Sequence, residues 1–179
     1  MKIGIFCSAN NRLDSVYFEK TAELGRWCAE NNHSIVFGGC NLGLMECVAK
    51  AAHDAGGQTI GVVPRIIEQH GKVSDYVDVH VPCDDLNDRK ALILNMSDVF
   101  IALPGGVGTL DEVFTVVASH TIGYHRKRTV LYNVDGFWSP VIQMLDALDT
   151  KGVIRGDWRD YLCVAETLED VERIVKTAL

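Results

Sequence analysis

The chain has 179 residues, of which 47% are hydrophobic and 23% charged, and this composition predicts one globular domain over residues 1–179. Its formal net charge of −7 disfavours duplex nucleic acid as the main partner, because binding to a phosphate backbone requires a basic face. No apolar run is long enough to cross a membrane, residues 1–7 lack the features of a secretory signal, and the six cysteines show no metal-ligand spacing, so we expect a cytoplasmic protein.

Short β-rich runs alternate with helical patterns along the chain. The predicted strands are residues 2–7, 34–38, 58–63, 77–82, 98–103, 129–133 and a weaker 161–164, and the predicted helices are 14–31, 43–55, 85–97, 109–122, 138–150 and 167–178. The strands are near-continuous hydrophobic runs, which is typical of parallel strands covered on both faces. The sequence therefore predicts an α/β fold with a Rossmann-like, doubly wound, mostly parallel sheet and helices on both faces. The segment 65–75 has no periodicity and is predicted to be a loop.

A glycine-rich turn follows the strand predicted at 98–103. A strand that enters such a turn and then a helix directs free backbone N–H groups, and the positive end of the helix dipole, at one point. Glycines allow an anion to approach that backbone closely. The pattern therefore predicts a phosphate-binding turn with the candidate residues Gly105, Gly106, Val107, Gly108 and Thr109, which follow Pro104. The alternative is a strand–helix connection that needs glycine only for its geometry.

Two acids, Asp111 and Glu112, stand in the first turn of the following helix, beside the expected anion. A carboxylate next to a phosphate site suggests chemistry on a phosphorylated small molecule. The alternative for Glu112 is structural, because Thr109 and Glu112 match a T-x-x-E capping box in which Glu112 bonds the backbone N–H of Thr109. Spacing alone does not distinguish these roles.

The adjacent residues Arg89 and Lys90 lie in the first turns of the helix predicted at 85–97. That helix is about 18 Å long at 1.5 Å per residue. The strand that follows returns about 20 Å at 3.3 Å per residue. The two lengths nearly cancel, so we expect Arg89 and Lys90 at the sheet edge that carries the glycine-rich turn. The alternative is a solvated helix face.

A second glycine turn begins with Gly38 and Gly39, after the strand predicted at 34–38. It does not match G-x-G-x-x-G, because Cys40 occupies the place of the second glycine, and the turn after the first strand, which holds Ser8, has no glycine. Binding of a nicotinamide dinucleotide is therefore disfavoured, and no glycine turn is followed by the Lys-Ser/Thr of a P-loop. Gly38, Gly39 and Ser8 are candidate substrate-binding residues, with a tight packing turn as the alternative for the glycines.

These motifs resemble those of the LONELY GUY (LOG) family, formerly described as lysine decarboxylases. The family hallmark P-G-G-x-G-T-x-x-E is matched by residues 104–112, and its Arg-Lys pair by Arg89 and Lys90. Weaker similarities lie at residues 38–39, 43–45, 61–64 and 133–136.

The resemblance implies a Rossmann-like homodimer that hydrolyses the N-glycosidic bond of nucleoside 5′-monophosphates. The products are a free base and ribose 5-phosphate, the substrates are AMP or N6-modified AMP (cytokinin nucleotides), and neither a metal nor a redox cofactor is implied. By resemblance Glu112 stabilises the oxocarbenium-like C1′ and activates water, with Asp111 as the alternative, and Arg89 helps to position the substrate. Lys90, the glycine-rich turn and Thr109 are the expected contacts of the phosphorylated substrate.

Some positions depart from the family pattern. Cys40 and Glu46 replace glycines, and Leu86, Ser119 and Thr121 replace a methionine, a tryptophan and a glutamine. These departures bear on the preferred base more than on the reaction type. The rival function is a non-catalytic nucleotide or molybdenum-cofactor carrier on the same fold, which would keep the phosphate-binding turn without needing Glu112 or Arg89.

Overall fold

A computed structural model describes residues 1–178 and contains a seven-stranded, all-parallel sheet of order β4-β3-β2-β1-β5-β6-β7. The strands are β1 Lys2–Phe6, β2 Ser34–Phe37, β3 Thr59–Pro64, β4 Val79–Cys83, β5 Val99–Ala102, β6 Thr129–Tyr132 and β7 Leu162–Ala165. The α-helices are α1 Ser15–Glu30, α2 Gly43–Asp54, α3 Arg65–Gln69, α4 Leu86–Met96, α5 Val107–Thr121, α6 Ser139–Thr150 and α7 Leu168–Lys176. The predicted α/β fold class is confirmed.

The sheet is covered by helices on both faces, which explains why its strands read as continuous apolar runs. Every residue of the strands β3, β5 and β6 is buried. One face packs Ile3, Ile35 and Ile101 against α1, α2 and α7, and the other packs Val36 and Phe100 against α4, α5 and α6. Neighbouring residues of one strand, such as Ile35 and Val36, therefore both contribute to a core, because their side chains point to opposite faces.

The direction in which strands are added reverses at β1, which pairs with both β2 and β5. Such a switch point leaves a crevice at the carboxyl ends of the two central strands. Here the loops that leave β1 and β5 run side by side, since Leu103 N donates to Phe6 O at 2.9 Å and Ser8 N donates to Pro104 O at 3.1 Å. The topology thus brings the first βα loop next to the glycine-rich turn.

The segment predicted as a loop at 65–75 contains the short helix α3 (Arg65–Gln69), none of whose residues is buried. Without an apolar stripe, this helix had no periodicity in the sequence. The remainder of the segment is bonded to the second glycine turn, because Asn41 N donates to Lys72 O and Ser74 N donates to Gly39 O, each at 2.9 Å. Among the described helices, none combines the length and the apolar character needed to cross a membrane.

Candidate active site

A cavity of about 240 Å³ opens at the switch point, between the carboxyl ends of β1 and β5. Side chains and backbone from the β1 loop, α2, α4 and α5 form its wall. The lining residues are Cys7, Ser8, Ala9, Met45, Arg89, Gly106, Gly108, Thr109 and Glu112. Six of the sequence-predicted site residues, Ser8 among them, therefore face one cavity.

The first turn of α5 forms one side of this cavity. The helix begins at Val107, with Gly106 as its N-cap residue, and no side chain caps it. The N–H groups of Val107, Gly108 and Thr109 consequently have no acceptor within α5. A Cβ added at Gly106 or Gly108 would meet nothing within 4 Å, so the space beside these two glycines is open, and both line the cavity. This combination of open space and free donors suits an oxyanion.

Gly105 has a different role in the same turn. A Cβ at this position would lie 2.0 Å from Thr109 Oγ1, so the Thr109 side chain occupies the space that any larger residue would need. Gly105 is not among the residues that line the cavity. It places Thr109, whose side chain is buried at the cavity wall.

Arg89 and Glu112 form a buried ion pair at the base of the cavity. Arg89 Nη2 donates to Glu112 Oε1 at 2.5 Å, and the two side chains are only 15% and 4% exposed. Burial raises the pKa of Glu112, while the charge and hydrogen bond of Arg89 act in the opposite direction. The capping-box alternative is not formed: α5 starts two residues before Thr109, and the Glu112 carboxylate bonds to α4 instead.

Arg89 retains unused donors beside the cavity. Its Nε is buried and has no hydrogen-bond partner among the described residues. Its Nη1 lies 3.4 Å from the position that a Cβ of Gly38 would occupy, so Gly38 packs directly beside the guanidinium. A buried N–H without a partner is rare in native proteins, and this one belongs to a residue that lines the cavity.

Lys90 and Asp111 pair with each other outside the cavity. Lys90 Nζ contacts both carboxylate oxygens of Asp111, at 2.9 and 2.8 Å, and the side chains are 15% and 53% exposed. Neither residue lines the cavity. The structure thus places these two candidate substrate-binding residues beside Arg89 and Glu112, with their charges already paired.

Two further candidates also lie outside the lining residues. Gly39 has φ +70°, and a Cβ there would come within 2.5 Å of Val63 Cγ2, so this glycine serves the close packing of the second turn. Val107 is 85% exposed on the first turn of α5 and contributes its backbone N–H rather than its side chain.

Three lining residues were not among the sequence-predicted candidates: Cys7, Ala9 and Met45. Cys7 and Ala9 flank Ser8 at the carboxyl end of the first strand, a position that the switch-point rule identifies once the strand order is known. Burial and the nearby Glu112 carboxylate raise the pKa of the Cys7 thiol well above its usual value, so Cys7 remains protonated. Among residues 1–178, no three His, Cys, Asp or Glu side chains converge to hold a metal ion.

Known proteins are similar to this chain over most of its length. The family model described as "Possible lysine decarboxylase" matches residues 45–175, which include Arg89 and the whole of the glycine-rich turn. A probable cytokinin riboside 5′-monophosphate phosphoribohydrolase of Oryza sativa subsp. japonica is 34% identical over 170 residues, covering 95% of this chain and 70% of that protein. A cytokinin riboside 5′-monophosphate phosphoribohydrolase of Arabidopsis thaliana is 32% identical over 170 residues, covering 95% and 79%.

Solved structures with the same fold include a protein with a different described role. The molybdenum cofactor carrier protein of Chlamydomonas reinhardtii superimposes with a TM-score of 0.76 at 26% sequence identity, covering 99% of this chain and 96% of that chain. The chain is thus similar in sequence to proteins described as phosphoribohydrolases and in structure to one described as a carrier.

Proposed function

Because the chain belongs to the LOG family, we propose that it hydrolyses the N-glycosidic bond of nucleoside 5′-monophosphates, AMP or N6-modified AMP, to a free base and ribose 5-phosphate. The observation that carries this proposal is the Arg89–Glu112 pair, buried in the wall of a cavity that also receives the free N–H groups of α5. An anion site and a carboxylate with a raised pKa then lie within one small volume.

The 5′-phosphate of the substrate binds at the first turn of α5. Gly106 and Gly108 leave room for its oxygens, and the N–H groups of the turn and the positive end of the helix dipole stabilise its charge. The Arg89 guanidinium, which belongs to a residue of the cavity wall and has an unpaired Nε, adds a positive charge and a charge-assisted donor. Held in this way, the ribose lies between α5 and α4.

Glu112 acts on C1′ of the bound ribose. As the C1′–N bond breaks, its electron pair leaves with the base and positive charge develops at C1′, which the ionised carboxylate stabilises. Glu112 also accepts a proton from the water that adds to C1′, while the departing base takes up a proton from solvent, and a raised pKa suits a general base near neutral pH. Asp111, the alternative carboxylate, is 53% exposed and outside the cavity, which favours Glu112 in this role.

A carrier function on the same fold is the second candidate. It is favoured by the similarity to the molybdenum cofactor carrier protein of Chlamydomonas reinhardtii. A carrier needs the anion site of α5 but not a carboxylate beside it. Burying Glu112 raises its pKa and opposes its ionisation, which is a cost that a carrier has no need to bear. The Glu112–Arg89 pair therefore favours catalysis.

The proposal is tested by chromatographic detection of free adenine from AMP. We expect adenine from the wild-type protein and roughly 10²–10⁴-fold less from Glu112→Gln, with AMP binding by calorimetry retained. Glu19→Gln, the same change on the exposed surface of α1, is the matched control and keeps wild-type turnover. Saturable binding without base release from a panel of nucleoside monophosphates would favour the carrier, and unchanged turnover in Glu112→Gln would exclude Glu112 as the catalytic carboxylate.

The quaternary state and the location in the cell belong to the same proposal: a homodimer in the cytoplasm. Large apolar side chains are exposed at Ile122, Tyr124 and Val153, near the far end of α5 and after α6, and exposed apolar surface favours association. Light scattering of the purified chain measures this directly, and a mass of 19.7 kDa, that of one chain, would count against the dimer.

A further inference from the structure

Two neighbouring residues on α4 contact two neighbouring residues on α5, in a ladder of two ion pairs. The inner pair, Arg89–Glu112, forms part of the cavity wall, and the outer pair, Lys90–Asp111, lies behind it. In the outer pair Lys90 Nζ contacts both oxygens of one carboxylate, at 2.9 and 2.8 Å. The inner pair is connected to the outer pair through the backbone of both helices.

Two side-chain ion pairs join the first turns of α4 to α5. Ile93 is the one residue of α4 that is fully buried, so hydrophobic packing anchors the helix near its carboxyl half. Otherwise α4 packs on the sheet, against the strands β1 to β4. At the amino-terminal half of α4, the two ion pairs are therefore the main attachment to α5.

We propose that Lys90 and Asp111 are positioning residues, which hold the first turns of α4 against α5 and thereby keep the Arg89 guanidinium on the Glu112 carboxylate. This inference rests on the proposed function for its consequence in catalysis, but the arrangement itself is independent of the substrate. It assigns Lys90 a role in holding the site rather than in binding the substrate phosphate. Lys90 is suited to this role, because its side chain is 15% exposed and its charge is directed at Asp111.

The charges of the outer pair also act on Glu112. Asp111 raises the pKa of Glu112 and Lys90 lowers it, so the two effects oppose each other. The Asp111 effect is the larger of the two, so removing both charges in Lys90→Gln/Asp111→Asn would by itself lower the pKa of Glu112. A rise in the pKa of Glu112 in this double variant therefore indicates a looser Arg89–Glu112 contact.

The first experiment measures kcat and KM for adenine release from AMP in Lys90→Gln, Asp111→Asn and the double variant. We expect each to lower kcat roughly fivefold, as for the loss of an ion pair of this exposure, and the double variant to be no worse than either single variant. Lys90→Arg retains the pair and restores kcat. Lys176→Gln, which removes the exposed Lys176–Glu172 pair of α7, is the control and leaves kcat at the wild-type level.

The second experiment requires no activity: a carbon-13 NMR titration of the Glu112 carboxyl in the same full-length variants. We expect the pKa of Glu112 to rise in the double variant, because Arg89 is held less firmly on it. A raised KM with unchanged kcat in Lys90→Gln, together with a silent Asp111→Asn, would instead make Lys90 a substrate contact. A double variant with wild-type kcat and an unchanged pKa of Glu112 would also overturn the proposal.

The two experiments separate failure of this inference from failure of the proposed function. If the wild-type protein releases no base, the proposed function fails, and the titration still decides whether Lys90 and Asp111 hold Arg89 on Glu112. If base is released and the titration shows no shift in the double variant, only the positioning role fails.

Discussion

The guanidinium of Arg89 and the carboxylate of Glu112 are 23 residues apart in sequence and share a 2.5 Å hydrogen bond in the wall of the switch-point cavity. The strand β5 separates the helices that carry them and determines this contact: α4 descends along the sheet, β5 returns, and α5 begins at the same edge. This path of the chain brings together a buried carboxylate, an arginine with an unpaired N–H and a helix N-terminus.

Replacing Arg89 by alanine is expected to destabilise the fold. Glu112 would then lose its hydrogen-bond partner while remaining buried, and an unsatisfied buried polar group costs roughly 1–3 kcal/mol. Urea unfolding at pH 7 measures the change. The double variant Arg89→Ala/Glu112→Gln is expected to recover part of the loss, because no buried charge remains. Wild-type stability in Arg89→Ala would show that water entering the cavity hydrates Glu112 sufficiently.

The stability difference between the wild type and Glu112→Gln is expected to depend on pH. Burial raises the pKa of Glu112 above its ordinary value near 4.5, so the folded protein binds this proton more tightly than the unfolded chain. Its contribution to the free energy of unfolding is complete below the unfolded pKa and is lost as pH rises through the folded pKa. Relative to the wild type, Glu112→Gln should therefore become more stable from pH 4.5 upward, as urea unfolding at several pH values measures. A difference that does not vary with pH would contradict the raised pKa.

Alanine at Gly105 and at Gly108 should have opposite effects on folding. At Gly105 the new Cβ would overlap Thr109, and we expect a loss of about 1–3 kcal/mol together with loss of AMP binding. At Gly108 the new Cβ meets open space in the first turn of α5, where alanine is favoured over glycine by up to about 1 kcal/mol.

Gly108→Ala should nevertheless bind AMP more weakly, because its methyl group occupies the space assigned to the phosphate. Thermal unfolding with and without AMP measures both effects on one sample. A Gly108→Ala variant that is stable and binds AMP like the wild type would place the phosphate elsewhere.

His125 should make the stability of the protein sensitive to mild acid. Desolvation lowers the pKa of His125, as do the charges of His120 on α5 and Lys127 in the turn, while its bond to Val116 O acts in the opposite direction. The ring also accepts a hydrogen bond from Lys127 N through Nδ1, which requires that nitrogen to be unprotonated.

The stability contributed by His125 is complete above its unfolded pKa, about 6.5, and is lost as pH falls below that value. His125→Gln should lose less stability than the wild type between pH 7.5 and 5.5, because glutamine takes up no proton in this range. His70→Gln, at an exposed histidine, is the control and should follow the wild type. If the free energy of unfolding of the wild type and of His125→Gln changed equally with pH, the prediction would be contradicted.

Much of the fold was predictable because it depends on local patterns. All seven strands and the six longer helices lie within a few residues of the predicted ranges. The helix α3 was not predicted, since it buries no side chain and has no apolar stripe. The start of α5 was placed two residues late, at Thr109, because Thr109 and Glu112 match a capping box that the folded chain does not form.

The site was predictable only in outline. The glycine-rich turn and the acids after it are adjacent in sequence, so their pattern was sufficient to suggest an anion site beside a carboxylate. Cys7 and Met45 line the same cavity but come from the β1 loop and from α2. Their contribution depends on the order of the strands, which a local pattern does not contain.

The amino-acid sequence by itself determined the alternation of strands and helices, the continuous apolar strands of a sheet covered on both faces, and the backbone donors of the turn at 104–109. These features follow from hydrophobic periodicity and from the conformational freedom of glycine, which act over a few residues. Only the tertiary structure decided the partner of Glu112. Two donors were available to its carboxylate: the nearby backbone N–H of Thr109 and the guanidinium of Arg89, which is distant in sequence. The sheet brings the guanidinium to 2.5 Å from the carboxylate. A charge-assisted hydrogen bond to a buried carboxylate is stronger than a bond to a neutral backbone N–H.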